Sequence, residues 1–325
     1  MQVELLRRAD RLFAAALALA PADRRSFLER VPAADAALRQ RVSRLLAVEA
    51  RLGGFLEPPV PAVEIELPAG TSVGPYTVAG RLGRGGMATV YLVEHRDRSR
   101  EPRRALKVAR ADLASTATTE LFDAERRLLA GLALPGIPRL LDHGCLVDGR
   151  PYLVLERVEG LPIDQHCARY RLDLEARLAL FLRLLATIDR LHRQRVVHGD
   201  LKPANILVTR QGEPRLIDFG AARRLQGGAA LSAAPAELAA MTPRYASPEQ
   251  ARGETLGLAT DVYSLGVLLH ELLTGMPGFG GDLDRIVRKA LAKEPAERYC
   301  SAGELARELG GHRSGRTYGG QALPG

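Results

Sequence analysis

The chain has few cysteines and no long apolar run, and both scarcities limit what it can be. Among its 325 residues are only three cysteines, without C-x-x-C or metal-ligand spacing, so reduced thiols are predicted instead of a disulfide framework or a cysteine metal cluster. The apolar stretches Leu12 to Ala20 and Leu265 to Leu273 are shorter than the roughly 18 to 20 residues that a membrane span needs. No secretory signal follows Met1. These observations predict a cytoplasmic protein with no membrane span.

Positive charge is in excess but is not concentrated anywhere. Lysine and arginine number 46 against 38 acidic residues, a net charge of +8. A positive protein can attract a polyanion, yet the arginines are spread along the chain and form no basic arm. A nucleic-acid partner is therefore not predicted.

The beginning of the chain has a helical pattern followed by a proline-rich segment. Apolar positions up to residue 50 recur at helical spacing and are interrupted by Pro21 and Pro32, which predicts three short helices. Segment 58–73 is rich in proline and favours a stiff linker. We therefore predict a small helical N-terminal region, 1–57, before the linker.

After the linker the period changes from strands to helices. Short strand patterns separated by turns begin at Tyr76, with one helix predicted among them, Thr118 to Leu132. Beyond Asp173 helices dominate, including the amphipathic Leu174 to Arg193 and the apolar Thr260 to Leu273. A strand-rich lobe followed by a larger helical lobe suits a ligand cleft between the two.

A glycine-rich turn joins the first two of these strands. Its sequence, Gly83-Arg84-Gly85-Gly86-Met87-Ala88-Thr89-Val90, has small residues that allow backbone N–H groups to approach phosphate oxygens. A glycine-rich hairpin is often only a turn, so this motif alone leaves both interpretations open. Ala88 stands where the usual pattern of a glycine-rich phosphate-binding turn has its third glycine. If the backbone there needed a positive φ, alanine in place of glycine would cost about 1 kcal/mol.

Two charged residues follow the glycine-rich turn. Lys107 lies in the middle of an apolar strand, where a charge needs a partner. Glu125, on the next predicted helix, is the expected partner, although an edge-strand lysine and a solvated helix acid remain open as separate explanations. The pair would hold Lys107 on the α and β phosphates of a nucleotide.

The segment VVHGDLKPANILVTRQGEPRLIDFG, from Val196 to Gly220, carries the spacing that phosphoryl transfer requires. Asp200 would accept or orient the proton of the substrate hydroxyl, and Lys202 would neutralise the transferring γ-phosphoryl group. Asn205 and Asp218 would hold magnesium that bridges the phosphates. Each of these residues alone could be a polar side chain exposed to solvent, and the prediction depends on their order.

From about Gly74 to His312 the chain resembles bacterial serine/threonine protein kinases of the eukaryotic type. The resemblance implies an α+β bilobal fold, with a small antiparallel β-sheet lobe (74–158) and a larger α-helical lobe (159–312), and it leaves a tail, 313–325, predicted to be disordered. The N-terminal helices also resemble the leader of one bacterial subgroup. By resemblance the protein uses ATP with Mg²⁺ or Mn²⁺ and phosphorylates serine or threonine of protein substrates, with autophosphorylation expected among its reactions.

The resemblance also implies roles for particular residues. Leu155 corresponds to the gatekeeper, Glu156 to Val158 to the hinge that receives adenine, and Val90, Ala105 and Leu207 to the residues on either side of the base. Glu249 would pair with Arg298, and Asp261 would anchor the catalytic-loop backbone. The implied nucleotide-binding set is Leu82, Gly83, Arg84, Gly85, Gly86, Met87, Ala88, Val90, Ala105, Lys107, Leu155, Glu156, Val158, Leu207 and Asp218. The catalytic set is Asp200, Lys202, Lys107 and Glu125.

The chain departs from the family pattern in two places. Gly199 stands where many kinases carry an arginine that binds an activation-loop phosphate, so phosphorylation of Ser232 or Thr242 is not expected to act through that switch, and we predict constitutive competence. Between the apolar helix and the next helical segment only Met276 to Gly281 remain, where the family has a substrate-docking helix.

These departures keep two alternatives open. A shortened helical lobe suits an ATP-binding scaffold with negligible transfer. The sequence His198-Gly199-Asp200 also resembles the catalytic loop of small-molecule phosphotransferases such as antibiotic and choline kinases. Those enzymes usually carry histidine at the position of Lys202, which favours the protein kinase.

Overall fold

A computed structural model of the chain describes residues 66–97, 101–113, 115–225 and 244–313, together with helix α1 (Pro21–Glu29) and a few positions around it. Helix α1 begins at Pro21, as the N-terminal pattern predicted, with Asp23 in its first turn. Most of the predicted N-terminal region, the first part of the linker, Ser232, Thr242 and the tail beyond 313 lie outside the described residues.

The first lobe is a six-stranded antiparallel sheet in the order β1-β2-β3-β4-β6-β5. Its strands are β1 (Ser72–Val73), β2 (Tyr76–Arg84), β3 (Ala88–His95), β4 (Arg104–Ala109), β5 (Leu140–Cys145) and β6 (Pro151–Glu156). Because Ser72–Val73 pairs with β2, the end of the segment predicted as linker is part of the sheet. The Gly70 N–H also donates to the Val78 carbonyl at 2.8 Å, which places residues before β1 on the same edge.

One helix, α2 (Thr116–Ala130), packs against this sheet. It begins two residues before the predicted start because the Ser115 side chain caps it, accepting from the Thr118 N–H at 3.2 Å. Phe122 contacts the small residues Ala88 and Ala109 of the sheet. The helix is therefore fixed on the face of the sheet that also carries Lys107, whose ammonium lies 5.8 Å from the centre of the Phe122 ring.

The second lobe is mainly helical. Its helices are α3 (Ile163–Arg169), α4 (Leu174–Arg193), α5 (Pro248–Arg252), α6 (Leu258–Leu273), α7 (Asp282–Ala290) and α8 (Ala302–Arg313). Asp173 caps α4, which buries Phe181, Leu184 and Ile188 in the main apolar cluster. The predicted apolar helix is α6, and it is buried along most of its length.

Short strands at the junction of the lobes carry the polar motifs. They form a three-stranded sheet, β10-β9-β7, and a two-stranded sheet, β11-β8. Their bounds are β7 (Leu161–Pro162), β8 (Val196–Val197), β9 (Ile206–Val208), β10 (Pro214–Leu216) and β11 (Arg223–Arg224). The segment with Asp200 connects β8 to β9, and Asp218 follows β10, so both motifs lie at one edge of the helical lobe.

Three further features bear on the predictions. Residues 274–281, between α6 and α7, form turns and contain no helix. Of the helices in the described part of the chain, none has the length and apolar character for crossing a membrane. The cysteines are free thiols, as predicted, but Cys145 and Cys300 are exposed, and only Cys167 is buried.

Candidate active site

Asp200 is held by its neighbours in the loop between β8 and β9. The Lys202 Nζ lies 2.7 Å from the Asp200 Oδ2. A 3-10 turn, Pro203–Asn205, brings Asn205 back so that its Nδ2 donates to the Asp200 carbonyl at 2.8 Å and to the Asp200 Oδ2 at 2.9 Å. Asp200 is therefore in contact with both polar side chains that the sequence grouped with it.

The Asp200 carboxyl differs from an exposed aspartic acid in its pKa. Only 14% of its side chain is exposed, and burial raises its pKa above the usual value although Lys202 acts in the opposite direction. A carboxylate with a raised pKa is a better proton acceptor than an exposed one. The site can therefore hold or receive a proton at Asp200.

Lys107 is the centre of a second cluster. Its Nζ lies 2.7 Å from both carboxylate oxygens of Glu125 and 2.7 Å from the Asp218 Oδ1. The Lys107 and Glu125 side chains are only 9% and 3% exposed. The pair is therefore buried, which excludes the open alternatives of an edge-strand lysine and a solvated helix acid, and removing one partner of a buried pair costs about 3–5 kcal/mol.

The charges of this cluster depend on one another. Burial opposes the charge of Lys107, but Asp218 and Glu125 outweigh it and raise its pKa. Burial also favours the neutral form of Asp218, yet Lys107 and the Gly220 N–H hold its pKa well below the usual range. Lys107 is therefore a permanent cation, and Asp218 a permanent anion, at neutral pH.

A buried carboxylate fixes the backbone beside Asp200. The Asp261 side chain on α6 accepts from the His198 N–H at 2.8 Å and from the Gly199 N–H at 2.9 Å, as the sequence predicted for this residue. His192 was missed: its Nε2 lies 3.0 Å from the Asp261 Oδ2, and its Nδ1 accepts from the Ala302 N–H at 3.1 Å. A single histidine on an amphipathic helix carries no signal in the sequence that separates it from a core residue.

Gly199 has a left-handed backbone, with φ of +77°. A Cβ there would lie 2.9 Å from the Ala221 carbonyl oxygen, and the Gly199 carbonyl accepts from the Gln250 Nε2 at 2.7 Å. Glycine therefore suits this position for steric reasons. Its presence also means that the arginine found here in many kinases is absent. Ser232 and Thr242 are outside the described residues, so constitutive competence stays a prediction.

We expect Gly199→Ala to lower the free energy of unfolding by about 1–3 kcal/mol, because a left-handed non-glycine residue is strained. Urea denaturation would measure it. Gly275→Ala is the matched control, since Gly275 has φ of +79° but no atom within 4 Å of a built Cβ. Equal losses in both variants would show that the Ala221 contact has no effect.

The predicted nucleotide-binding residues line the sheet around Lys107. Val90 is directly opposite Lys107, and Ala105 is opposite Leu155, so these side chains share the face of Lys107. Leu207 lies on β9 in the helical lobe and is half-buried between two buried neighbours. Glu156 ends β6, and Val158 follows it outside regular structure. The set therefore lies on both lobes, on the sheet face that carries Lys107 and on β9.

The glycine-rich turn closes the same end of the sheet. Leu82, Gly83 and Arg84 end β2 and are exposed, as are Gly85 and Gly86, while Met87 is half-buried. Ala88 begins β3 and is buried, and it is not among the residues with positive φ. Alanine at this position therefore has no conformational penalty.

Asn205 and Asp218 fit a magnesium site that is completed by phosphate. Mg²⁺ prefers oxygen ligands, and it is usually held by one or two carboxylates with substrate phosphates. The Asn205 Nδ2 faces Asp200, which makes its amide oxygen the group for a cation. In the described part of the chain no cluster of three or more acidic, histidine or cysteine side chains could hold a metal alone.

A comparison with protein-family models matches residues 76–306 to the protein kinase domain. The chain belongs to this family. The predicted family, a protein kinase of the bacterial serine/threonine type, is confirmed, and so is the predicted α+β bilobal fold. Protein kinases in general use ATP with Mg²⁺, and they need a lysine–glutamate pair in place; in this chain Lys107 and Glu125 form a buried lysine–glutamate ion pair.

Named relatives of this kinase domain are bacterial. A probable serine/threonine-protein kinase of Streptomyces coelicolor is 35% identical over 285 residues, which cover 78% of this chain and 42% of the relative. PknB of Mycobacterium tuberculosis is 33% identical over 271 residues, 72% of this chain and 42% of that protein. The crystal structure of the Mycobacterium tuberculosis PknI kinase domain has a TM-score of 0.58 at 27% identity, covering 75% of this chain and 99% of that one. The kinase domain thus spans about two fifths of the length of the curated relatives it matches.

The end of the activation segment has the pairing that the resemblance implied. The Arg298 Nη1 and Nη2 lie 2.7 Å and 2.8 Å from the two Glu249 carboxylate oxygens, and both side chains are almost fully buried. Ser247 and Gln250 form a capping box at the start of α5. Gln250 also reaches the Gly199 carbonyl, so α5 is fixed to the loop that carries Asp200.

Proposed function

We propose that the chain transfers the γ-phosphoryl group of ATP to serine or threonine hydroxyls of proteins. The observation that carries this proposal is the presence of two clusters at the junction of the lobes, Lys107 with Glu125 and Asp218, and Asp200 with Lys202 and Asn205. A protein kinase needs both, since the first positions the nucleotide and the second positions the hydroxyl.

In the proposed reaction the substrate hydroxyl oxygen forms a bond to the γ-phosphorus while the bond to the oxygen shared with the β-phosphate breaks. The hydroxyl proton passes to the Asp200 carboxylate, whose pKa is raised by burial. Lys202 neutralises charge on the transferring group, and Lys107 binds the α and β phosphates. Asn205 and Asp218 would hold Mg²⁺ or Mn²⁺, which supplies positive charge to the phosphates.

Two features favour protein substrates over small molecules. Lys202 is in contact with Asp200, at the position where small-molecule phosphotransferases usually carry histidine. Residues 244–249, at the end of the segment before α5, contact α6 and Arg298, as expected for the end of a protein-kinase activation segment. The names of the relatives also support serine and threonine as acceptors. The cytoplasmic location remains a prediction.

We expect γ-labelled ATP with Mg²⁺ to label the chain itself or a generic basic protein on serine or threonine, and EDTA to abolish the labelling because phosphoryl transfer depends on the cation. Phosphoamino-acid analysis and mass spectrometry would identify the acceptors. Binding of ATP without any transfer would favour the scaffold instead. Transfer confined to a small alcohol or aminoglycoside would favour the small-molecule phosphotransferase.

A further inference from the structure

Three successive carbonyl groups of the glycine-rich turn face one residue, Arg110. Its Nη1 donates to the Gly86 carbonyl at 3.1 Å and to the Gly85 carbonyl at 3.4 Å. Its backbone N–H donates to the Met87 carbonyl at 3.1 Å. Arg110 directly follows β4, so a residue fixed to the sheet holds the tip of the turn.

The position of these carbonyls determines where the neighbouring N–H groups point. In a trans peptide the C=O and the N–H are antiparallel, and the described residues contain no cis peptide bond. The Gly85 carbonyl shares its peptide with the Gly86 N–H, and the Gly86 carbonyl shares its peptide with the Met87 N–H. When Arg110 binds the two carbonyls, both N–H groups point away from its guanidinium.

The strand pattern shows on which side the guanidinium lies. Successive side chains of a strand point to opposite faces, and the hydrogen bond from the Arg110 N–H to Met87 continues the ladder between β3 and β4. Ala109 packs with Phe122 on the face of Lys107, whereas Val108 packs in the cluster on the other face. Arg110 is two residues after Val108 and therefore points to the same face as Val108. Its guanidinium thus binds the turn from the face opposite Lys107.

Asp112 holds the guanidinium in this place. The Arg110 Nε donates to the Asp112 Oδ1 at 2.9 Å, and the Nη2 contacts the other carboxylate oxygen. This hydrogen bonding lowers the pKa of Asp112. A guanidinium bound through one edge to a carboxylate has its remaining donors in a fixed direction.

We propose that Arg110 is a positioning residue that turns the Gly86 and Met87 N–H groups toward the phosphates of the bound nucleotide. This inference rests on the proposed use of ATP and deepens it. The turn is then a phosphate site prepared by a side chain outside the glycine motif. Without the guanidinium the two peptides can rotate, and their N–H groups lose a common direction.

The test compares the affinities for ADP with Mg²⁺ and for adenosine, measured by isothermal titration calorimetry. In Arg110→Ala we expect the ADP affinity to fall roughly threefold to tenfold, as for the loss of one or two hydrogen bonds, while the adenosine affinity stays within about twofold. Asp112→Asn keeps the arginine but weakens its anchor, so a smaller loss in the same direction is expected. Arg103→Ala is the matched control, since Arg103 is half-exposed and pairs with Glu94 at the other end of β4.

The inference would be overturned if the ratio of ADP to adenosine affinity in Arg110→Ala were unchanged. This includes a parallel fall in both affinities, which would indicate a merely structural role. If the wild-type chain transfers phosphate from γ-labelled ATP in a parallel assay, the failure belongs to the positioning role alone. A wild-type chain that binds ADP no better than adenosine would overturn both the inference and the proposed use of ATP. Arg110→Lys, which keeps the charge without the planar fork, covers the case in which the alanine variant does not fold.

Discussion

Asp200→Asn is expected to lower kcat by about 100- to 10,000-fold, the usual contribution of a proton acceptor in the transition state. The asparagine keeps the size of the side chain. It also keeps an oxygen that can accept from the Asn205 Nδ2, which in the wild type lies 2.9 Å from the Asp200 Oδ2. It cannot accept the proton of the substrate hydroxyl. The measurement is the rate of γ-phosphoryl transfer at saturating ATP and Mg²⁺, with the affinity for ADP measured in parallel.

Asp284→Asn is the control for this variant. Asp284 is an acid on α7 that pairs with Arg288, and it belongs to neither of the two polar clusters. We expect full activity from it. If Asp200→Asn retained more than about one tenth of the wild-type rate, Asp200 would not be the proton acceptor. Loss of ADP binding together with the rate would instead point to a misfolded loop.

The second large effect concerns stability. Glu249→Ala is expected to lower the free energy of unfolding by about 3–5 kcal/mol, because it leaves the Arg298 guanidinium buried without its carboxylate. Arg298 is otherwise bound to the carbonyls of Ala259, Ala292 and Lys293, so it cannot turn to solvent without breaking further hydrogen bonds. Urea denaturation followed by circular dichroism would measure the change.

An ion pair on the surface provides the comparison. Arg285 and Glu308 lie 2.8 Å apart, but the Arg285 side chain is 54% exposed, so Glu308→Ala should cost about 0–1 kcal/mol. Comparable losses in Glu249→Ala and Glu308→Ala would contradict the role assigned to burial.

Acid should weaken the Glu249 contact in a defined direction. Burial would raise the pKa of Glu249, but the hydrogen bonds from Arg298 hold it below the ordinary value of 4.5. A lowered folded-state pKa means that the stabilisation is complete above 4.5 and is lost as the pH falls through the folded-state pKa. In Glu249→Gln this part of the acid dependence of stability should be absent.

The motifs near one another in sequence could be predicted, because their chemistry is encoded by spacing. Asp200, Lys202 and Asn205 lie within six residues, and the 3-10 turn at Pro203 determines their contact. Lys107 and Glu125 were also predictable, since an apolar strand excludes an unpaired charge. The second carboxylate partner of Lys107 was not predicted: Asp218 is 111 residues away and was expected only to hold metal.

Other parts of the site depend on tertiary distances that spacing does not encode. Arg110 follows an ordinary strand pattern, and only the folded hairpin shows which carbonyls its side chain reaches. The sequence shows Gly199 only as a missing arginine, whereas its positive φ and the Ala221 carbonyl that a Cβ would meet are visible only in the fold. The boundary of the linker was placed too late because a two-residue strand such as Ser72–Val73 has too little pattern to detect.

The contacts of His192 join parts of the chain that the ribosome synthesises at different times. Its two ring nitrogens join Asp261, 69 residues downstream, and Ala302, 110 residues downstream. At about 5–20 residues per second, synthesis of the last partner follows that of His192 by roughly 5–20 s. The network that joins His192, Asp261 and Ala302 beside the loop with Asp200 can therefore be complete only after almost the whole domain has been synthesised.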